Sequence, residues 1–302
     1  MGRLGRYVRL SYSVSRPSLS VLAALSYLLG LYWNKIAEIL KSGSATGGLP
    51  RPELEMLISM FSAGVFANLL NSYRDSLDVD RLAYLKKDCP NPFLEYGLSP
   101  RAAGLLALAA GATSVILSCL ARPKAVFLVT AELVISVAYS LYPRLKGVPV
   151  ADVVLNTAAL YAIPFALGWT RHEPLSELPL LEALASSLVA SPLFLLTAMV
   201  DYHADLRAGL ATTVVKLGLR RSALACLVMH SAGSLLIASL LPSPHTAIPL
   251  IIVEIAYLVL VKRPTPMLAL KIVRGIAAAL SAYCGLAAIY LCYTWRSNVM
   301  PG

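Results

Sequence analysis

Long apolar segments alternate with short polar connections along the chain. An α-helix needs about 20 predominantly apolar residues to cross a hydrocarbon core of about 30 Å. Segments that approach or exceed this length are rich in Leu, Ala, Val and Ile, and nine of them occur: 17–33, 54–73, 102–120, 125–142, 150–169, 178–200, 223–241, 245–261 and 267–293. The pattern therefore predicts nine membrane spans.

These segments lack the alternation of polar and apolar residues that is typical of a transmembrane β-barrel. Within lipid, an α-helix satisfies its own backbone hydrogen bonds. We therefore predict an all-α integral membrane protein in which residues 1–302 form a single domain. The nine-helix bundle is expected to consist of two four-helix pseudo-repeats and a ninth helix.

Composition supports an exterior that faces lipid. The chain is 58% hydrophobic and only 14% charged, with a mean hydropathy of +0.70, whereas a soluble domain has about 25% charged residues. The five cysteines are scattered along the sequence, so they indicate neither a disulfide framework nor a metal-binding cluster.

Basic residues are unevenly distributed between the predicted sides of the membrane. If the N-terminus lies inside, most of the 26 lysines and arginines fall on the inner side, as the positive-inside rule requires. We therefore expect a multi-pass cell-membrane protein with N-in, C-out topology. Topology together with an anionic ligand would explain the net charge of +10. No basic run with interleaved aromatic residues indicates nucleic-acid binding.

A first polar cluster lies where the second span reaches the inner side. If the helix continues at about 100° per residue, four side chains share one face: Asn68, Asn71, Asp75 and Asp78. Asp80 would then lie on the opposite face. Amides and carboxylates next to hydrocarbon are costly unless they point into a cavity or bind a ligand.

A second cluster lies at the matching end of the sixth span, where Asp201 and Asp205 are one helical turn apart. Either acidic pair alone could be a solvated helix end. Acids at C-terminal helix ends oppose the macrodipole, however, so two such pairs on one side favour a binding role. The clusters lie four spans apart, which suggests two half-bundles that face each other. Sparse carboxylates suit Mg²⁺ together with substrate phosphates.

At these residues the chain resembles the UbiA superfamily of intramembrane prenyltransferases. The resemblance rests on three motifs: Asn71-x-x-x-Asp75, Asp201-x-x-x-Asp205-x-x-x-Gly209-x-x-Thr212-Thr213 followed by Lys216-Leu-Gly218, and Tyr139 with the downstream Lys146. The second motif is the most specific. The stretches 201–218 and 142–146 look most like lycopene-elongase-like members.

The chain also departs from the usual family pattern. Ser72 stands where the family usually has Asp, and Val79 stands at the usual position of the last Asp in the first motif. Asp78 or Asp80 would complete that motif, and the helical-face argument favours Asp78.

The resemblance implies Mg²⁺-dependent transfer of a prenyl group from an allylic isoprenyl diphosphate to a hydrophobic or aromatic acceptor in the bilayer. The implied metal ligands are Asn71, Asp75, Asp78, Asp201 and Asp205, and the four carboxylates are the implied catalytic residues together with Tyr139. The implied substrate-binding residues are Asn68, Asn71, Arg74, Arg81, Lys146 and Arg207. Arg74 and Arg81 could instead neutralise neighbouring aspartates. The active site would face the cytoplasm, with cap loops at 74–101 and 201–221.

Two acids, Glu132 and Glu254, fall within predicted spans, where ionisation is costly. They leave open a cation- or proton-coupled transporter, although transporters usually place charged groups near the membrane midplane and most acids here lie at one rim. A membrane enzyme that transfers phosphate groups of diphosphate-linked lipids is a further alternative. The sequence leaves the acceptor, the prenyl chain length and the oligomeric state open.

Overall fold

The computed structural model describes residues 3–15, 17–42, 52–82, 91–242 and 244–279, and these residues form helices joined by short turns, with no strand among them. The first eleven α-helices are α1 Arg3–Ser15, α2 Pro17–Ser42, α3 Leu54–Leu77, α4 Pro92–Tyr96, α5 Pro100–Ala121, α6 Val126–Ser140, α7 Ala151–Thr157, α8 Ile163–Trp169, α9 Leu180–Arg207, α10 Thr213–Leu240 and α11 Pro244–Lys262. Residues 266–279 form a further helix, α12.

Helices coincide with the apolar segments, so the all-helical prediction is confirmed. Within the described ranges, six helical segments are long and apolar enough to cross a membrane, or seven if the bent pair α1 and α2 counts as one span. The predicted ninth segment ends at 293, and its residues beyond 279 lie outside the described ones. Nine spans and the N-in, C-out orientation therefore stay predictions.

One span is irregular in its middle. Between α7 and α8 the backbone forms a π-helical turn at Ala158–Ala162, and Pro164 follows as the second residue of α8. Proline has no backbone N–H to donate to the preceding turn, and π-helical turns are frequent at functional sites. The irregular turn faces the cavity described below through Ala159 and Leu160.

Helices α2 and α8 approach closely because glycines lie at their contact. A Cβ atom on Gly30 would overlap the carbonyl oxygen of Phe165, and one on Gly168 would overlap that of Tyr27. Small residues allow such backbone proximity between membrane helices. Helices α3 and α5 are joined differently, since Ser59 Oγ donates to Ser114 O (2.7 Å) and Ser114 Oγ donates to Ser59 O (2.9 Å).

An ion-pair cluster connects three helices at the start of α3. Glu53 pairs with Arg122 (2.8 Å) and Arg171 (2.7 Å), and Arg122 also donates to the carbonyl oxygen of Leu167 (2.8 Å). At about 1.5 Å per residue, the start and end of α3 are separated by about 36 Å. The cluster therefore holds α3, α5 and α8 together at the end of the bundle opposite the acidic helix ends.

Candidate active site

One face of α3 contributes amides and a carboxylate to a cavity inside the bundle. Asn68, Asn71 and Asp75 line this cavity, and Asp75 is only 2% exposed. Asn71 Nδ2 donates to Asp75 Oδ2 at 3.0 Å, while Asn68 Nδ2 donates to the backbone oxygen of Ser15 at 3.2 Å. The helical spacing that predicted a shared face thus brings these three side chains together.

The turn after α6 supplies two cations to this carboxylate. Lys146 Nζ lies 2.6 Å from Asp75 Oδ2. Arg144, which has a positive φ of 62°, lies 3.8 Å from Asp75 Oδ1 through its Nη2 atom. Lys146 was an expected substrate-binding residue, whereas Arg144 was not among the residues expected to bind the substrate.

Asp78 lies just past the end of α3 rather than on its cavity-lining face. The helix ends at Leu77, and the Asp78 carboxylate accepts two hydrogen bonds from Arg144 (2.8 and 3.0 Å) and pairs with Arg74 at 3.2 Å. Burial alone would raise the pKa of Asp78, but hydrogen bonds from Arg144 and the Val79 backbone, with the charge of Arg144, lower it below its usual value. Asp78 is therefore an ionised partner for two arginines.

Asp80, the other candidate for completing the first motif, bonds to Asn91 at the start of α4 and does not line the cavity. Its Oδ2 atom accepts a hydrogen bond from Asn91 Nδ2 at 2.7 Å, and the same amide nitrogen donates to the carbonyl oxygen of Ser72. Asp80 thus ties the residues after α3 to the start of α4. Asp78, not Asp80, shares the Arg144 guanidinium with Asp75.

Asp201 and Asp205 on α9 line the same cavity as Asp75, and Asp205 is 1% exposed. The segment after α3 reaches the end of α9 through an apolar contact, since Val79 packs with Ala204 and Leu210. This contact brings the two acidic helix ends towards each other, as the sequence suggested.

Lys146 lies in the electrostatic field of both acidic helix ends. Burial alone would lower the pKa of Lys146, but nearby groups raise it above its ordinary value, in the order Asp75, Tyr139, Asp205 and Asp201. Lys146 is therefore protonated. We call this group the polar end of the cavity; it consists of Asn71, Asp75, Lys146, Asp201 and Asp205.

A buried contact between α7 and α10 supports the polar end from one side. Asp152, which lines the cavity and is 4% exposed, accepts hydrogen bonds from the Thr213 backbone N–H (2.8 Å) and from the Thr213 hydroxyl. Asp152 thereby accepts a backbone N–H at the start of α10 that has no partner within that helix, and its negative charge also complements the helix macrodipole. Thr213 belongs to the second sequence motif, but no local spacing connects it to Asp152, which is 61 residues away.

Below the polar end the cavity is largely apolar. Its volume is about 570 Å³, within the usual range for ligand pockets. Tyr139 lies between the two regions, and its hydroxyl accepts a hydrogen bond from Asn156 Nδ2 at 2.8 Å. Apolar lining residues come from α2, α3, α6, α7, the π-helical turn, α9 and α12. They include Leu22, Leu25, Ala67, Ile135, Leu155, Leu160, Leu193, Phe194, Val273 and Ile276.

Three predicted substrate-binding arginines lie elsewhere. Arg81 and Arg207 are exposed, and Arg74 pairs with Asp78, so none of the three is among the described residues that line the cavity. Of the two acids within spans, Glu132 lines the cavity, whereas Glu254 pairs with His230 at 2.7 Å between α10 and α11.

The polar end has oxygen donors with capacity for a cation. Within the described ranges, no three His, Cys, Asp or Glu side chains form a metal-binding group by themselves. Asn71 Oδ1 and Asp75 Oδ1 are buried, and no hydrogen-bond partner among the described residues reaches either atom. Such hard oxygen donors fit Mg²⁺, which takes a few protein ligands and completes its shell with water and substrate phosphates.

Comparisons with known proteins agree with this arrangement. The sequence model of the UbiA prenyltransferase family matches residues 44–266, and no curated protein matches the chain. A UbiA homologue from Archaeoglobus fulgidus bound to DMAPP and Mg²⁺ is 24% identical, with a TM-score of 0.68 over 92% of this chain and 98% of that one.

Two further solved structures share the fold. A UbiA homologue from Archaeoglobus fulgidus bound to GPP and Mg²⁺ is 22% identical, with a TM-score of 0.69 over 93% of this chain and 99% of that one. A UbiA homologue from Aeropyrum pernix K1, in its apo form, is 17% identical, with a TM-score of 0.56 over 90% of this chain and 98% of that one. Because the family match covers most of the sequence, the chain belongs to the UbiA prenyltransferase family, a family of prenyl-transferring enzymes.

Proposed function

We propose that the protein catalyses Mg²⁺-dependent transfer of a prenyl group from an allylic isoprenyl diphosphate to a lipophilic or aromatic acceptor within the membrane. The observation that carries this proposal is Lys146, which lies in the field of Asp75, Asp201 and Asp205 at one end of an otherwise apolar cavity. A diphosphate fits the polar end and a prenyl chain fits the apolar part. The Archaeoglobus fulgidus homologue bound to GPP and Mg²⁺ supports the same ligand class here.

In this proposal Asn71, Asp75, Asp201 and Asp205 hold the metal. Mg²⁺, when bound, supplies charge neutralisation for the diphosphate as it leaves the allylic carbon. Asp78, expected from the sequence to be a ligand, instead holds Arg144 through its two hydrogen bonds. We therefore assign Asp78 a positioning role for the guanidinium.

The basic residues bind the leaving group. Lys146 is protonated and buried, so its Nζ atom donates hydrogen bonds to diphosphate oxygens where water does not screen the charge. Arg144 offers N–H groups beside it. Arg81 and Arg207, both exposed, attract the diphosphate from solution without entering the cavity.

The allylic cation forms next to Tyr139. Asn156 donates to the phenol oxygen and so fixes the ring, whose face stabilises a nearby positive charge. Asn68 stays bonded to Ser15 and shapes the cavity wall. Apolar residues around the prenyl chain of the substrate exclude water that would otherwise react with the cation.

The orientation in the membrane is part of the proposal. The distribution of basic residues supports nine spans, N-in and C-out, with the polar end facing the cytoplasm. We propose that residues 1–302 act as one domain and that the stretches 74–101 and 201–221 cap the cavity. The packing of Val79 against Ala204 and Leu210 supports contact between these caps; residues 83–90 lie outside the described ones.

A transporter is less well supported. Glu254 has His230 as its partner and lies outside the cavity lining, and apart from Glu132 the carboxylates that line the cavity lie at or beside its polar end. A prenyltransferase family match also favours the enzyme. The lycopene-elongase-like subgroup remains a prediction from the two sequence stretches.

The test is turnover by the purified full chain in liposomes. Geranylgeranyl and dimethylallyl diphosphates are supplied with phenolic, glycerol-phosphate and carotenoid acceptors, with and without Mg²⁺. We expect diphosphate release and a prenylated product that require Mg²⁺ and are lost in Asp75→Ala and Asp201→Ala. Glu177→Ala, which removes an exposed carboxylate that does not line the cavity, is the control. Folded wild-type protein that consumes no prenyl diphosphate would overturn the proposal.

A further inference from the structure

Glu132 lines the cavity but takes no part in the proposed binding of metal and diphosphate. It lies in the middle of α6, is 3% exposed and lines the cavity. Its Oε2 atom is buried, and none of the described residues offers it a hydrogen bond. Glu254, the other acid within a span, differs because His230 and Ser231 both bond its carboxylate.

The position of Glu132 separates it from the polar end. Glu132 and Tyr139 are seven residues apart on the cavity face of α6, together with Ser136 and Ser140. A rise of about 1.5 Å per residue places Glu132 about 10 Å further from Lys146 along the helix than Tyr139. Ser136 Oγ donates to the backbone oxygen of Glu132, so this hydroxyl does not donate to the Glu132 carboxyl group.

A buried carboxyl oxygen with no partner is costly, and it therefore points to a ligand that supplies one. The prenyl tail of the donor is a hydrocarbon and has no hydrogen-bonding group at this depth. Leu22, Leu25 and Ala159 supply apolar lining in the same cavity. The complementary polar group must then belong to the second substrate.

We propose that Glu132 binds a hydroxyl group of the acceptor, so that the acceptor is a hydroxyl-bearing lipid rather than a pure hydrocarbon. This inference rests on the proposed prenyl transfer and defines the chemical class of its second substrate. Glu132 is the specificity-determining residue of this acceptor subsite.

The test measures binding of two probes by native mass spectrometry. Phytanol and phytane share one saturated C20 skeleton and differ by a single hydroxyl. Wild type, Glu132→Gln and Glu132→Leu are compared, each with and without geranylgeranyl thiodiphosphate and Mg²⁺. Binding of this inert donor analogue shows separately whether the bundle has folded and whether the diphosphate site works.

We expect wild type and Glu132→Gln to bind phytanol about tenfold more tightly than phytane, since one hydrogen bond to a buried group is worth roughly this factor. Glu132→Leu should lose the preference. Equal binding of both probes by wild type, or a preference that persists in Glu132→Leu, would overturn the inference. A preference for phytanol that depends on Glu132, in a protein that does not bind the donor analogue, would support the Glu132 subsite. The same result would overturn the proposed prenyl diphosphate donor.

Discussion

Lys146 Nζ lies 2.6 Å from Asp75 Oδ2 and joins the turn after α6 to the end of α3. Both side chains are mostly buried, with 12% and 3% of their surfaces exposed. A buried pair of this kind leaves an uncompensated charge when one partner is removed. The pair also lies where the proposed diphosphate binds, so its effects on folding and on ligand binding must be separated.

Lys146→Met should therefore lower both the melting temperature and the affinity for geranylgeranyl thiodiphosphate. The double variant Asp75→Asn with Lys146→Met removes both charges, so we expect it to regain most of the stability but none of the ligand affinity. Thermal unfolding and analogue binding measure the two effects. If the double variant also regained affinity, Lys146 would be structural only.

The pairing of Asp78 with Arg144 predicts a pH dependence of stability. The pKa of Asp78 is lowered in the folded protein, so its stabilising contribution is present above the unfolded pKa of about 4 and is lost as pH falls through the folded pKa. Asp78→Asn should thus melt at a lower temperature than wild type at pH 7. The difference should shrink towards pH 3, and a difference independent of pH would contradict this account.

Arg144 should be more sensitive to replacement than its neighbour Arg74. Arg144 holds Asp78 with two guanidinium nitrogens, at 2.8 and 3.0 Å, whereas Arg74 makes one contact of 3.2 Å. A lysine cannot reproduce a two-pronged contact. We expect Arg144→Lys to reduce kcat/KM by about tenfold or more, which corresponds to about 1.4 kcal/mol of transition-state stabilisation. Arg74→Lys should cost less than half of that free energy. Equal losses would contradict the assigned geometry.

The hydroxyl of Thr213 should contribute to stability through Asp152. Thr213→Val keeps the backbone N–H bond to Asp152, and Asp152 Oδ1 still accepts from the Val153 N–H. The substitution nevertheless removes the hydroxyl bond to that oxygen and leaves the Val150 N–H without its acceptor, which costs about 1–3 kcal/mol. Chemical unfolding measures this cost. Ser239→Ala, which removes an exposed hydroxyl bonded only to its own helix, is the control and should change stability by less than about 0.5 kcal/mol.

A pair of glycine substitutions tests the packing of α2 on α8. Gly168→Ala places a methyl group against the backbone of Tyr27, whereas Gly104→Ala in α5 meets nothing within 4 Å. We expect Gly168→Ala to lower the melting temperature markedly. Gly104→Ala should maintain or raise it, because alanine is the better helix former by about 1 kcal/mol.

Local periodicity predicted much of the site. The apolar run 54–73 located α3, and its helical spacing placed Asn68, Asn71 and Asp75 on one face of the cavity. Asp78 departs from this face because the helix ends at Leu77, and no residue type at that point signals the end. A charged partner, Arg144, determines where the Asp78 carboxylate points.

Contacts between distant segments could not be predicted. Asp152 and Thr213 are 61 residues apart, and their hydrogen bond depends on how α7 and α10 pack. The predicted segment began at 223, whereas α10 begins ten residues earlier, at Thr213. Hydropathy missed these first turns because they contain several polar residues. Gly218 interrupts those turns with a φ of 74°, a conformation that favours glycine.

The central claim is that the acidic ends of α3 and α9 bind one ligand. A double-mutant cycle of Asp75→Asn and Asp201→Asn tests it most directly, read as the Mg²⁺-dependent affinity for geranylgeranyl thiodiphosphate. Residues that act on one bound group couple strongly, so each single variant should lose at least about tenfold in affinity and the double variant little more. Losses that simply add, or single variants that bind as wild type does, would contradict the claim.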